Sequence, residues 1–234
     1  MPFAKRCIPA LVLATAVACP VFLLGLYVDS IWVRLPAKPW PHLVLIAWVF
    51  AAASGAYATR IAAAIALCMV ADILLEFRGA GFVYGMGVFL AAQLTFASAF
   101  TMQCRPWRPV LALPFVVWLG TAFAVISPGL GALRLPVMAY MAAIGLMLWR
   151  SAAWFAATRT TTAAGSPSAT SGVAGAARLA LAGAVVFGIS DTLIALDRFH
   201  APVPGARYLI ILTYWAALAL IAASAVRLAR TTSR

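Results

Sequence analysis

Only five carboxylates occur in the chain, Asp29, Asp72, Glu76, Asp191 and Asp197. Asp72 and Asp191 sit within apolar surroundings, in Val70-Ala71-Asp72-Ile73-Leu74-Leu75 and Ile189-Ser190-Asp191-Thr192-Leu193-Ile194. A charged Asp near the centre of a bilayer costs about 2.5–3.5 kcal/mol, so such residues persist where they face a polar cavity or a partner. Two carboxylates in unlike environments can do acid–base chemistry, one donating a proton while the other stays ionised and steadies a developing cation. Ala71, Ile73 and Leu74 surround Asp72, whereas hydroxyls of Ser190 and Thr192 flank Asp191, so Asp72 is expected to be the donor. On these residues alone the alternative is two snorkelling carboxylates paired with Arg78 and Arg198. Lys38, Gln93, Tyr140 and Tyr214 fall at compatible depth. Singly they read as a solvated lysine, helix glue and interfacial tyrosines; with the two aspartates they are expected to line one pocket.

Other chemistries lack their residues. His42 and His200 are the only histidines, both expected near the outer surface, and no HExxH motif occurs, which argues against metal-dependent hydrolysis and a His-based triad. No GxSxG elbow, Walker loop or dinucleotide fingerprint is present. Cys7, Cys19, Cys68 and Cys104 form no CxxC pair, so neither a zinc site nor a disulfide framework is expected. No metal or cofactor is called for.

The elements that must position these residues are membrane helices. Of 234 residues, 65% are apolar and only 9% charged, with mean hydropathy +1.03, against about 25% charged in soluble domains. The net charge of +12 reads as membrane topology and not as a nucleic-acid footprint. With about 20 apolar residues needed per crossing, the chain divides into eight candidate spans, near 8–28, 42–58, 60–77, 80–103, 109–126, 132–157, 178–197 and 207–228. The joins at Arg60 and at Arg78-Gly79 are the tightest, and seven spans result if one is not a true break. The expected fold is therefore all-α, a single polytopic domain over 1–234. Sorted by connection, eleven of the 17 basic residues fall on the side holding both termini and six on the other, which predicts cytoplasmic termini and a polar site opening outward. Ala16-Val17-Ala18-Cys19 resembles a lipobox, but the apolar run continues to Val28 and Ala16 stands where Leu is preferred, so the first span is kept as a helix. The stretch 158–177 is Ser/Thr/Gly/Ala-rich and aperiodic, and is expected to be a flexible cytoplasmic loop. Gly81 and Gly85 suggest a close helix contact. The likeness of the Asp72 and Asp191 segments, four spans apart, would suit parallel four-helix repeats.

The segments Ala37-Lys38-Pro39, Ala71-Asp72-Ile73-Leu74-Leu75, Gly87 through Leu94, Leu135-Pro136-Val137 through Trp149, Gly183 through Leu193, and Thr213-Tyr214 come in an order that resembles the lysoplasmalogenase (YhhN-like) family. The resemblance covers most of the chain beyond the first span. It implies an eight-helix membrane hydrolase, cytoplasmic-membrane resident if bacterial, that cleaves the vinyl ether of lysoplasmalogens to a fatty aldehyde and glycerophospho-ethanolamine or -choline. By position, Lys38, Asp72, Gln93, Tyr140, Asp191 and Tyr214 would inherit the pocket, with Ser190 beside them. The chain departs from the family pattern at Ala71, where Gly is usual, at Gln93, where His is usual, and near Leu218, where a polar residue is usual.

A vinyl ether hydrolyses by protonation at carbon, and the resulting oxocarbenium ion is captured by water, so it suits a carboxylate pair. The expected function is ether-lipid hydrolysis, with Asp72 and Asp191 catalytic, a lysophospholipid as substrate, and membrane lipid but no nucleic acid as partner. The rivals are a small transporter using the Asp pair as a proton or cation site, and a non-catalytic lipid-binding protein.

Overall fold

In a computed structural model, which describes residues 2–77, 79–162 and 167–232, most of the described residues are helical, joined by short links. The helices are α1 (Pro2–Tyr27), α2 (Ile31–Ala37), α3 (Trp40–Ala52), α4 (Ala56–Leu75), α5 (Ala80–Gln103), α6 (Leu113–Ile126), α7 (Arg134–Thr162), α8 (Pro167–Phe199) and α9 (Ala206–Thr232). Short 3-10 turns extend α6 at both ends. Seven segments are long and apolar enough to cross a bilayer: α1, α4, α5, α6 with its flanking turns, α7, α8 and α9.

The second expected span is the exception. It was placed at 42–58, but α3 ends at Ala52 and has only 13 residues. A seven-residue α2 precedes it. Pro39 and Pro41 have no N–H to give to the carbonyls of Leu35 and Ala37, so the helix is interrupted at Lys38-Pro39. Lys38 and Pro39 nevertheless keep helical backbone angles. The expected loop at 158–177 also differs, since α7 continues to Thr162 and α8 begins at Pro167. Alanine's high helix propensity accounts for helix where composition suggested a linker; residues 163–166 lie outside the described residues.

Helix packing is tightest where side chains are smallest, as expected where lipid removes the hydrophobic drive between helices. A Cβ on Gly81 or Gly85 would meet the Leu74 carbonyl or the Leu75 side chain of α4 at 2.6 and 2.9 Å, which is the close contact that their spacing suggested. Gly183 does the same for α8 against α9, where a Cβ would lie 2.6 Å from Ile221. A buried aromatic stack of Phe96, Phe100 and Trp154 fills the interior. Tyr57 on α4 meets Ser224 on α9 at 2.7 Å. These contacts bring the C-terminal halves of α4 and α8 to one end of the bundle, beside the α2–α3 break and the start of α9.

Candidate functional site

The break between α2 and α3 delivers Lys38 into the bundle. Its ammonium is buried and lies 2.8 Å from the Asp72 carbonyl, 2.8 Å from Glu76 Oε1 and 3.8 Å from Asp72 Oδ1. It therefore caps the C-terminal end of α4, where unsatisfied carbonyls and the helix dipole favour a cation. Two hydrogen bonds and a longer ion pair hold the ammonium, so Lys38 does not stand free for a phosphate. Arg34, one turn earlier, gives Nε to Glu76 Oε2 at 2.9 Å. Burial opposes ionisation of Glu76, but Lys38 and then Arg34 outweigh it and hold that carboxyl below its ordinary range.

Four residues after Lys38, and so on the same face, stands His42. It was expected near the surface and set aside; it is instead fully buried. Its Nε2 lies 2.9 Å from the Tyr214 hydroxyl and 3.1 Å from Asp72 Oδ2, while Nδ1 faces the Lys38 carbonyl at 3.3 Å. Alignment is met towards Tyr214 and not towards Asp72, leaving Asp72 Oδ2 a buried acceptor without a hydrogen bond. Asp72 thus has a cation and an imidazole beside it.

Asp191, on α8, has only neutral donors. Tyr140 gives its hydroxyl to Oδ2 at 2.7 Å and Gln93 gives Nε2 to the same oxygen at 3.4 Å. Gln93 Oε1 is buried without a partner. Ser190, adjacent to Asp191, is turned aside: its hydroxyl donates to the Ile210 carbonyl of α9 at 3.0 Å and serves helix packing. Among the described residues, the snorkelling alternative does not fit Asp191. Arg198 stacks over the Phe82 ring at 3.6 Å, and Arg78 lies outside the described residues.

Two cavities meet at this place. One is narrow and apolar, about 70 Å³, walled by Phe82, Met86, Ala122, Val137, Met141 and Ile144. The other carries Arg34, Lys38, Asp72, Glu76, Arg207 and Tyr214. Leu75, Phe89, Asp191 and Ile194 belong to both. Asp191 is the only ionisable residue in that shared wall. The structure places Lys38, Asp72, Asp191, Tyr140 and Tyr214 around these cavities, with Gln93 behind Asp191, and adds His42, Glu76 and Arg34. A signal for these was present in the spacing: Lys38 and His42 are four apart, as are Asp72 and Glu76, and such pairs share a helix face.

Fold and site define an all-α, multi-pass membrane protein with a carboxylate centre between an apolar and a charged chamber. The YhhN family model matches residues 33–225, and the chain belongs to the YhhN family. It is 37% identical over 233 residues to the lysoplasmalogenase TMEM86A of Bos taurus, covering 93% of this chain and 89% of that one. It is 35% identical to the Homo sapiens lysoplasmalogenase TMEM86A over the same shares. With the Mus musculus lysoplasmalogenase TMEM86B it shares 33% identity over 214 residues, covering 90% of this chain and 84% of that one. No solved structure matches the chain.

Proposed function

We propose that this protein is a lysoplasmalogenase that hydrolyses the vinyl ether of a lysophospholipid within the membrane. The observation that carries this reading is the wall common to the two cavities. An amphiphile with its chain in the apolar chamber and its head group in the charged one places its ether linkage at Asp191. The similarity to lysoplasmalogenases supports the same substrate class.

Asp191 is assigned as proton donor and Asp72 as the negative charge, the reverse of the order that neighbouring residue types suggested. Asp72 faces Lys38 and His42, whereas Asp191 faces only a phenol and an amide. With Oδ2 held by Tyr140 and Gln93, Oδ1 of Asp191 carries the proton to the vinyl carbon remote from the ether oxygen. The carbon bearing that oxygen becomes an oxocarbenium ion, steadied by the carboxylates. Water adds to it and loses a proton to the nearby base, of which Asp72 Oδ2 and His42 are the candidates. The hemiacetal then breaks its bond to the glycerol oxygen, which takes a proton. The sum is one water consumed, one aldehyde and one glycerol hydroxyl formed.

For topology, the broken α2–α3 passage spans 22 residues, about 33 Å at 1.5 Å per residue, and supplies an eighth crossing. Both termini then lie on one side, which the excess of basic residues makes cytoplasmic, and the charged chamber opens outward. The function is tested by mass spectrometry of lysoplasmalogen incubated with purified protein. Aldehyde released by the wild type and at least about 10²-fold more slowly by Asp191→Asn is expected; no release above a protein-free control overturns the reading.

A further inference from the structure

With Lys38 committed to α4, the charged chamber needs another group for the head group of an amphiphile. The candidates lie at its mouth. Arg207, in the first turn of α9, and Arg34 each give Nη1 to the same oxygen of Asp29, Oδ1, at 3.2 Å. Asp29 belongs to the short link between α1 and α2 and holds a left-handed φ of 49°, a conformation Asp tolerates better than most residues. Its side chain and that of Arg207 are about 61% and 62% exposed, and Arg207 first and then Arg34 hold the Asp29 carboxyl below its usual range. Around the chamber, Arg34, Lys38 and Arg207 face Asp29, Asp72 and Glu76. With Asp191, which also lines the chamber, neutral as the proton donor, these charges balance only while Asp29 stays in place.

We propose that Arg34 and Arg207 form the phosphate clamp of the lysolipid head group, and that Asp29 occupies the clamp until a phosphodiester displaces it. This rests on the ether-lipid reading of the same site. The chemistry is that of exchange between like anions. Two guanidinium groups converge on one carboxylate oxygen, and each can instead donate to an oxygen of a phosphate, an anion that arginine recognises well. The carboxylate to be displaced is the one acid of the chamber that lies in water, where an ion pair contributes least, whereas Glu76 and Asp72 are held at depth by Lys38. Removing Asp29 leaves the mouth one positive charge in excess, which a phosphodiester restores to balance. Arg207 also lies on the first turn of α9, where the helix dipole adds to the attraction for an anion. The clamp thereby fixes the amphiphile end-on, with its phosphate at the mouth and its ether at Asp191.

The test uses the full chain in detergent and a saturated 1-O-alkyl lysophospholipid, which binds without being cleaved. Its phosphate-free counterpart, 1-O-alkylglycerol, is measured beside it by calorimetry. Arg207→Gln should weaken the lysophospholipid about tenfold while leaving alkylglycerol unchanged, and Asp29→Asn should tighten the lysophospholipid several-fold by removing the competitor. Inorganic phosphate should compete with the lysophospholipid only in the millimolar range. Equal weakening of both lipids by Arg207→Gln, or of neither, overturns the clamp. Weaker binding by Asp29→Asn overturns the exchange. Micromolar inorganic phosphate binding, without preference for the lysophospholipid over alkylglycerol, shows a free-anion site and overturns the head-group assignment. Aldehyde release is measured in parallel from vinyl-ether substrate: wild type that binds by this pattern yet releases none retains the clamp and loses the hydrolase reading, and release with indifference to Arg207→Gln does the opposite.

Discussion

The two aspartates differ in partners more than in burial, and that difference is where the residue-scale predictions lie. Asp191→Asn and Asp72→Asn should each lower kcat by about 10²-fold or more, and the double variant should fall little below the poorer single one, since groups acting as a unit are not additive. Turnover should also slow in D₂O for the wild type, measured on the same aldehyde assay, because a proton is transferred to carbon. Multiplying losses in the double variant would separate the two residues into independent roles. His42→Gln removes the imidazole between Tyr214 and Asp72 and should lower kcat about tenfold with KM little changed, because His42 touches site residues and not the head-group clamp. Glu76 gives a prediction with a sign. Its carboxyl is held below the ordinary 4.5, so its contribution to stability is present above that value and lost as pH falls through the lowered one. Glu76→Gln should therefore melt below the wild type at neutral pH, and the two melting curves should converge on acidification below pH 4.5. Of these residues, Asp72, Asp191, Gln93, Tyr140 and Tyr214 were legible in sequence because a polar side chain stands out in an apolar helix. His42, Arg34 and Glu76 were not singled out, because His42 and Glu76 lie at the ends of expected spans and Arg34 in an expected connection, where a polar residue is ordinary; apart from their four-residue spacing, it is their depth in the bundle that distinguishes them.

At the scale of elements, the glycines of α5 set how closely it meets α4, and through Leu75 and Phe89 the shape of the wall between the chambers. Gly85→Val should push Leu75 aside; overpacking typically costs about 1–3 kcal/mol, readable as a lower melting temperature in detergent together with lost activity. Gly87→Ala is the control, since nothing lies within 4 Å of the added carbon and helix propensity alone improves by about 1 kcal/mol. The long helices were plain in the sequence from hydropathy and length. The division of the second span was not, because Arg34, Lys38 and His42 interrupt the apolar pattern and make 29–41 read as a connection ahead of the span. Proline shows where a helix is interrupted but not whether the chain continues in the same direction. Within 158–177, the described residues 158–162 and 167–177 are helix because an Ala-rich stretch with Ser and Thr satisfies its own backbone as a continuation of a flanking helix.

Taken whole, the molecule sets a measure on the lipid. The apolar chamber is short of space, and Ala122 on α6 faces into it. Ala122→Leu should lower kcat/KM for long alkenyl chains about tenfold, at the low end for a pocket sensing added carbons, while short-chain substrates are processed as before; equal losses for all lengths would place the chain elsewhere. A reporter fused after Arg230 that is active only outside the cell would overturn the cytoplasmic assignment of the termini. The wall shared by the two chambers has one more consequence, for what happens after the bond breaks. The substrate is held in place by attachment at two unlike ends, and cleavage at the wall severs one from the other. What remains on one side is an oily aldehyde, at home in acyl chains, and on the other a water-soluble phosphodiester that no longer has a tail. Each product leaves into the phase that suits it, so the fragments part without meeting again, and recombination is opposed by the membrane itself.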